Sequence, residues 1–150
     1  MVVALYPERE ALVAAAADWL KTPFHHAAHV KGVGVDCANL LCAVYFEAGL
    51  IDYIELPEYP LDWMWHRAEE RFLSEILRTR AREIAIPESG DVAVFKYGRC
   101  YSHGAIVTEW PLVIHAFAAL GGVVRGDATK HPLLDKGGQP RPVKFFTVFE

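Results

Sequence analysis

The sequence changes its periodicity near its middle, and that change limits the folds open to it. Upstream of Pro87, apolar residues recur at helical spacing over about 7–20, 36–48 and 62–79. Downstream, short runs rich in β-branched and aromatic residues are separated by glycine and proline, which is typical of antiparallel strands. Helices followed by strands predict an α+β domain, with N-terminal helices packed on a C-terminal antiparallel sheet. The predicted strands are 91–95, 102–108, 112–117, 123–125 and 143–149.

Composition narrows the class of protein. A chain of 150 residues with 53% hydrophobic and 23% charged residues is expected to fold, and we expect residues 1–150 to form one domain. The net charge is −4 without a block of lysine or arginine, which argues against a nucleic-acid-binding protein. The N-terminus lacks a basic segment followed by a long apolar one, so we expect neither a signal peptide nor membrane insertion.

The cysteine and histidine counts indicate neither a disulfide framework nor a metal site. Three cysteines, Cys37, Cys42 and Cys100, form no CxxC pair, and an odd number is unusual for a disulfide-rich domain. His25 and His29 have the spacing of metal ligands on a helix, but the proline and glycines around them make a helix doubtful there. We therefore predict no metal and no cofactor.

Cys37 follows an acidic residue where a glycine-rich loop leads into an apolar helical run, Gly34-Val35-Asp36-Cys37. The first N–H groups of a helix point outward and its dipole is positive there, which favours the thiolate, the nucleophilic form of cysteine. The alternative is a packing role, since cysteine near a helix start is more often buried than reactive. Cys37 is therefore a candidate nucleophile that needs a base.

Two histidines on neighbouring predicted strands can supply that base. His103 and His115 lie in runs joined by residues 109–111, which predict a hairpin turn. Suppose that the two strands pair so that the numbers of opposite residues add to about 218. The two histidines then lie opposite each other on one face of the sheet. His103 could then accept the thiol proton while His115 orients it, as in a catalytic triad. Taken singly, each histidine could equally be a hydrogen-bonded structural residue.

Four blocks of the sequence resemble those of the NlpC/P60 cysteine peptidases, in the order in which that family has them. Residues 34–37 are similar to the start of the family's GVDCSG element, and residues 22–24 to its TPY element. Residues 88–95, 102–107 and 113–116 are similar to its GDLVFF, SHVGIY and IHA strands. The resemblance covers nearly the whole chain.

The resemblance implies a papain-like α+β fold and hydrolysis of peptidoglycan stem peptides, commonly at the γ-D-glutamyl–diamino-acid bond. It also assigns roles to the residues that match the family's motifs. It implies Cys37 as nucleophile, His103 as base and His115 as third member, with Asp36, Ser102 and Phe24 lining the substrate groove.

The middle of the chain resembles one branch of the family in particular. Residues 59–73 are similar to the branch encoded in phage tail and gene-transfer-particle gene clusters. That branch implies a protein made in the bacterial cytoplasm, held by tail-tip or baseplate proteins, and active in the periplasm or cell wall when the particle penetrates a cell.

The sequence departs from the family pattern near the nucleophile. Phe24 stands where the family has tyrosine, so a hydroxyl is lost, and Ala38-Asn39 stand where it has Ser-Gly. These changes motivate an alternative, a structural tail component with weak or no catalysis. An amidase or acyltransferase on the same fold is a further alternative, because it would share the acyl-enzyme chemistry.

Overall fold

The structure, a computed structural model, describes residues 7–52 and 81–149. The predicted helix over 62–79 lies outside these residues. Two α-helices come first, Pro7–Ala17 (α1) and Cys37–Glu47 (α2). The strands are His29–Val30 (β1), Gly34–Val35 (β2), Arg82–Ile84 (β3), Val92–Tyr97 (β4), Cys100–Glu109 (β5), Leu112–Phe117 (β6), Gly122–Asp127 (β7) and Val143–Thr147 (β8), and Ala118–Leu120 form a 3₁₀ turn.

Six of the strands form one antiparallel sheet in the order β3-β8-β4-β5-β6-β7. The helices precede this sheet in the chain, which confirms the predicted α+β class. The strands β1 and β2 pair with each other as a separate small hairpin in the loop between the helices. In the described part of the chain, neither helix has the length and apolar character needed to cross a membrane.

The ends of α2 follow from local sequence. Asp36 is the N-cap, and its side chain accepts a hydrogen bond from the Asn39 backbone N–H at 2.9 Å. Such a cap satisfies one of the N–H groups that the first turn leaves unpaired. Gly49, just past the C-cap Ala48, has φ of 75° and ends the helix as predicted. The helix thus begins at Cys37 because Asp36 caps it.

Apolar residues cover both faces of the sheet. The main core lies between the helices and the sheet, where Leu12 and Leu40 pack with Ile106 and Ile114. A second core, which includes Phe95, Val107 and Leu133, lies on the other face. The segment between β7 and β8, which contributes Ala128 and Leu133, therefore covers part of the face that the helices leave open.

A buried ion pair joins α1 to the first residue before β4. Arg9 Nη1 donates to Asp91 Oδ1 at 2.9 Å and to the Ser89 carbonyl at 3.0 Å. Asp91 is fully buried, and its other oxygen accepts the Glu88 backbone N–H at 2.8 Å. The guanidinium also lies 4.3 Å from the centre of the Phe149 ring. This cluster ties the N-terminal helix to the sheet.

Candidate functional site

Cys37 occupies the first position of α2 and is half-buried. It packs against the main core beside the sheet. The α2 backbone therefore presents this thiol at the positive end of the helix dipole. Cys42, five residues later in the same helix, is buried and belongs to the core as predicted.

Asp36 holds the loop that precedes the helix. Its Oδ2 accepts the Ala27 backbone N–H at 2.8 Å, and its Oδ1 accepts both the backbone and the side-chain amide of Asn39. The side chain is fully buried. In this structure Asp36 positions Cys37 through its backbone, and its predicted contact with substrate stays a prediction.

His103 on β5 and His115 on β6 are joined by a short hydrogen bond. His103 Nε2 lies 2.7 Å from His115 Nδ1, and both side chains are buried. This bond uses one ring nitrogen of each imidazole. It leaves Nδ1 of His103 as the ring nitrogen that can exchange a proton with a reacting group.

The strand register that brings the two histidines together differs from the predicted one. The chain turns within the predicted 109–111, but Glu109 still belongs to β5 and pairs with Leu112. Ile106 pairs with Ile114, so the strands are shifted by two residues from the predicted pairing. Side chains alternate along a strand with a period of two, so this shift keeps both histidines on one face. His103 and His115 are therefore diagonal rather than directly opposite neighbours, and their side chains are long enough to remain in contact.

Aromatic rings surround the histidine pair. The His103 ring packs edge-on against Phe117 at 5.1 Å and against Tyr97 at 5.8 Å, and lies 6.3 Å from the ring of Phe95. Phe117 also lies 5.6 Å from His115. These rings hold both imidazoles in one orientation and keep water from most of their surface.

Tyr97 lies beside His103, and its phenol is held in place. Burial raises the pKa of its phenol, the Arg141 guanidinium lowers it, and the Cys37 thiolate adds a smaller rise. The phenol donates a hydrogen bond to the Pro132 carbonyl at 2.9 Å. The ring of Tyr97 thus contacts the histidine pair, while its phenol is held by the segment that precedes β8.

Both imidazoles are held in the neutral form. Burial lowers the pKa of His103 well below its ordinary value of 6.5, and the neighbouring His115 and Arg141 lower it further. Burial alone lowers the pKa of His115 to about 4. A neutral His103 has a lone pair with which it can accept a proton near pH 7.

This depression of pKa predicts a pH dependence of stability. The unfolded chain binds more protons than the folded one between pH 6.5 and about 4, so the free energy of unfolding falls as the pH drops through that range. The lowered pKa of His115 alone should reduce the free energy of unfolding by about 2 kcal/mol as the pH falls from 6.5 to about 5. We expect urea unfolding of His115→Asn to show a shallower decline over this range than wild type.

The exposed His131 offers a matched control for that experiment. His131→Asn removes a histidine from the surface. An equal change of slope in both variants would show that the effect does not come from the buried position of His115. Equal slopes for wild type and His115→Asn would show that the buried imidazole is not the source of the acid sensitivity.

A glycine on β7 makes room for His115. A Cβ atom at Gly126 would lie 2.6 Å from His115 Nε2, which is closer than such atoms approach. His115 Nε2 is buried, and within residues 7–52 and 81–149 it has no hydrogen-bond partner. His103 is thus the one group in this part of the chain that bonds to the His115 ring.

The other predicted residues lie around the same end of the fold. Phe24 is half-buried, packs against the main core, and forms a bridge with Val35 just before the cap of α2. Ser102 is buried on β5 next to His103. Their predicted roles in lining a substrate groove stay predictions.

The histidines of the loop before α2 are not on a helix, as expected. Ala27 has φ of 60°, and His29 lies in β1. The His25 ring packs against Gly34, where a Cβ would lie 2.7 Å from its Cδ2. No group of three or more histidine, cysteine or acidic side chains able to hold a metal occurs in the described residues.

Sequence reasoning missed Tyr97 and Arg141. The predicted fourth strand ended at Phe95, whereas β4 continues to Tyr97. Extending the alternation by two residues would have placed Tyr97 on the same face as Phe95, beside His103. Arg141 carries no comparable signal, because it precedes a strand whose neighbour in the sheet lies far away in sequence.

Solved structures share this fold. The NlpC/p60 domain of the peptidoglycan hydrolase SagA superposes with a TM-score of 0.54 at 17% identity, covering 91% of this chain and 96% of that one. The P60 domain of an antigen from M. avium subspecies paratuberculosis gives 0.60 at 14% identity and 99% coverage of both chains. NlpC1 from Trichomonas vaginalis gives 0.63 at 14% identity, covering 97% of this chain and 45% of that one.

No protein-family model and no curated protein matches the sequence. The likeness therefore lies in three dimensions, and it extends over most of this chain. The chain spans nearly all of the SagA and M. avium domains, and about half of the T. vaginalis protein. We conclude that this protein has the α+β fold of the NlpC/P60 domains.

Proposed function

We propose that this protein is a cysteine endopeptidase that cleaves peptidoglycan stem peptides, at the γ-D-glutamyl–diamino-acid bond. The observation that carries the proposal is the 2.7 Å bond between His103 and His115 in a fold shared with a domain of a peptidoglycan hydrolase. A second support is the position of Cys37 at the start of α2. Together they supply a nucleophile, a base and a group that orients the base.

The proposed reaction follows from these roles. Cys37 Sγ attacks the carbonyl carbon of the scissile amide while His103 Nδ1 accepts the thiol proton. His103 then gives that proton to the leaving amine, which departs and leaves a thioester on Cys37. Water hydrolyses the thioester, with His103 again taking a proton, and the free carboxylic acid and thiol are regenerated. His115 stabilises the charged imidazole through its bond to Nε2.

We also propose that the enzyme works from the tail of a phage or gene-transfer particle, where tail-tip or baseplate proteins hold it. The support is the sequence of residues 59–73, which lie outside the described residues. Mass spectrometry of purified particles should detect this chain together with tail proteins. Its presence in producing cells and absence from their particles would contradict this location.

Mapping of the cleaved bond tests the enzymatic proposal. Purified protein is incubated with muropeptides from several wall types, and the products are identified by mass spectrometry. We expect new fragments that end in a free γ-carboxylate of D-glutamate and begin at the diamino acid.

Each other outcome favours a different alternative. Release of the stem peptide from the sugar would indicate an amidase, and transfer to an added amine would indicate an acyltransferase. No new fragment from any wall type would favour a structural tail component, for which the motivation is Phe24 in place of the family's tyrosine.

A further inference from the structure

Arg141 lies beside the candidate site with its charge close to Tyr97. Its guanidinium carbon is 3.7 Å from the centre of the Tyr97 ring, and its Nη1 donates to the Lys96 carbonyl at 3.2 Å. Its backbone N–H donates to the Leu133 carbonyl at 3.3 Å. These contacts hold a half-buried arginine in a defined place just before β8.

This guanidinium has no anionic partner in the part of the chain that the structure describes. The ion pairs found there involve Arg9 and Lys31 instead. Within the same residues, Arg141 Nε is buried and donates to no acceptor. Withdrawing a cation from water without an anion costs free energy, so an arginine kept in this state is suited to receive a planar anion such as a carboxylate.

The position of Arg141 connects it to His103. It stacks on Tyr97, whose ring packs edge-on against the His103 ring at 5.8 Å. The charge of Arg141 also contributes, after burial and His115, to the lowered pKa of His103. An anion bound to Arg141 would therefore lie close to Tyr97 and on the same side of the sheet as His103, the proposed base.

The surrounding charge favours an anionic group. The two segments that meet here, 96–103 and 136–147, contain five lysines and arginines and no aspartate or glutamate, although the whole chain has a net charge of −4. Their strands β4 and β8 are neighbours in the sheet. A local excess of positive charge attracts an approaching anion and raises its local concentration.

We propose that Arg141 binds a free carboxylate next to the scissile amide, so that the site selects stem peptides with an unamidated D-glutamyl α-carboxylate. This inference rests on the proposed function. A carboxylate offers two charged acceptors to the N–H fork of arginine. The corresponding carboxamide offers one neutral acceptor and turns an N–H toward the guanidinium, so it binds more weakly. Arg141 is thus a specificity-determining residue.

Two synthetic peptides test this assignment. They contain the same γ-D-glutamyl–diamino-acid bond and differ only in an α-carboxylate or an α-carboxamide on the D-glutamyl residue. We expect wild type to cleave the carboxylate peptide with a kcat/KM at least about 10-fold higher. Arg141→Gln should lower kcat/KM for the carboxylate peptide and leave the carboxamide peptide nearly unchanged, bringing the ratio close to one.

Arg125→Gln is the matched control, because it removes an exposed guanidinium from β7, outside the two segments that surround Arg141. The strands β7 and β8 are not neighbours in the sheet, so this variant should keep the preference of wild type. If Arg141→Gln does not fold, Arg141→Lys keeps a charge without the fork and should show a reduced preference.

Equal cleavage of the two peptides by wild type would overturn the inference while leaving the proposed function intact. So would an equal loss on both peptides in Arg141→Gln, which would indicate a purely structural role. If wild type cleaves neither peptide, the proposed function fails, and calorimetry with the Cys37→Ala protein then decides about Arg141. Tighter binding of the carboxylate peptide would support the site, and equal or no binding would contradict it.

Discussion

Replacing Cys37 with alanine should abolish muropeptide cleavage, with a fall of at least about 10³-fold in kcat/KM. The variant keeps the Asp36 cap and loses only the sulfur, so the helix start should remain folded. Without the thiol no thioester forms, and a neutral His103 has no proton to accept. Mass spectrometry of digested muropeptides measures the loss, and circular dichroism checks the fold.

Cys42→Ala is the matched control for that experiment. Cys42 lies in the same helix, but it is buried in the core. Its replacement should lower the melting temperature slightly and leave cleavage near the wild-type rate, because it removes packing and no reacting group. Cleavage by Cys37→Ala at the rate of wild type would refute the role of Cys37, and with it the proposed mechanism.

Replacing Arg9 with methionine should lower the free energy of unfolding by about 3–5 kcal/mol. Asp91 is fully buried and receives its charged hydrogen bond from Arg9 at 2.9 Å, so the variant leaves a carboxylate in the core without its cation. Methionine keeps most of the side-chain volume, which limits the loss of packing against Phe149. Urea denaturation near pH 7 measures the effect.

A second substitution separates the lost charge partner from lost packing. The double variant Arg9→Met/Asp91→Asn has no buried charge left at this position, so it should be more stable than Arg9→Met alone. The exposed pair between Lys31 and Glu47 provides a comparison, and Lys31→Met should cost no more than about 1 kcal/mol. A cost that small for Arg9→Met would show that the buried pair does not hold α1 on the sheet.

Local signals were sufficient for the elements that carry the candidate residues. Asp36 before the apolar run and Gly49 after it set the two ends of α2, because capping and left-handed backbone are properties of single residues. The bounds of β6 agree with the predicted 112–117. The end of α1 was predicted from periodicity alone, and there the helix ends at Ala17 instead of near residue 20.

The register of the hairpin formed by β5 and β6 was not predicted correctly from the sequence. The tight turn pairs Glu109 with Leu112, and a bulge between Val107 and Glu109 then moves the pairing by one residue, so that Val107 pairs with Val113. The turn and the bulge together leave the strands two residues from the predicted pairing. Each side chain still lies on the predicted face of the sheet, because a shift of two residues matches the period of alternation along a strand. That is why His103 and His115 meet even though the predicted pairing was wrong.

By itself, the sequence determined that helices precede an antiparallel sheet, that a cysteine opens α2, and that two histidines lie on adjacent strands. These properties depend on periodicity, caps and turns within short segments. Only the tertiary structure decided that Arg9 pairs with Asp91 and that Arg141 stacks on Tyr97. Both contacts depend on how distant segments pack and, for Arg141, on β8 lying beside β4 in the sheet, and local periodicity does not encode the order of strands.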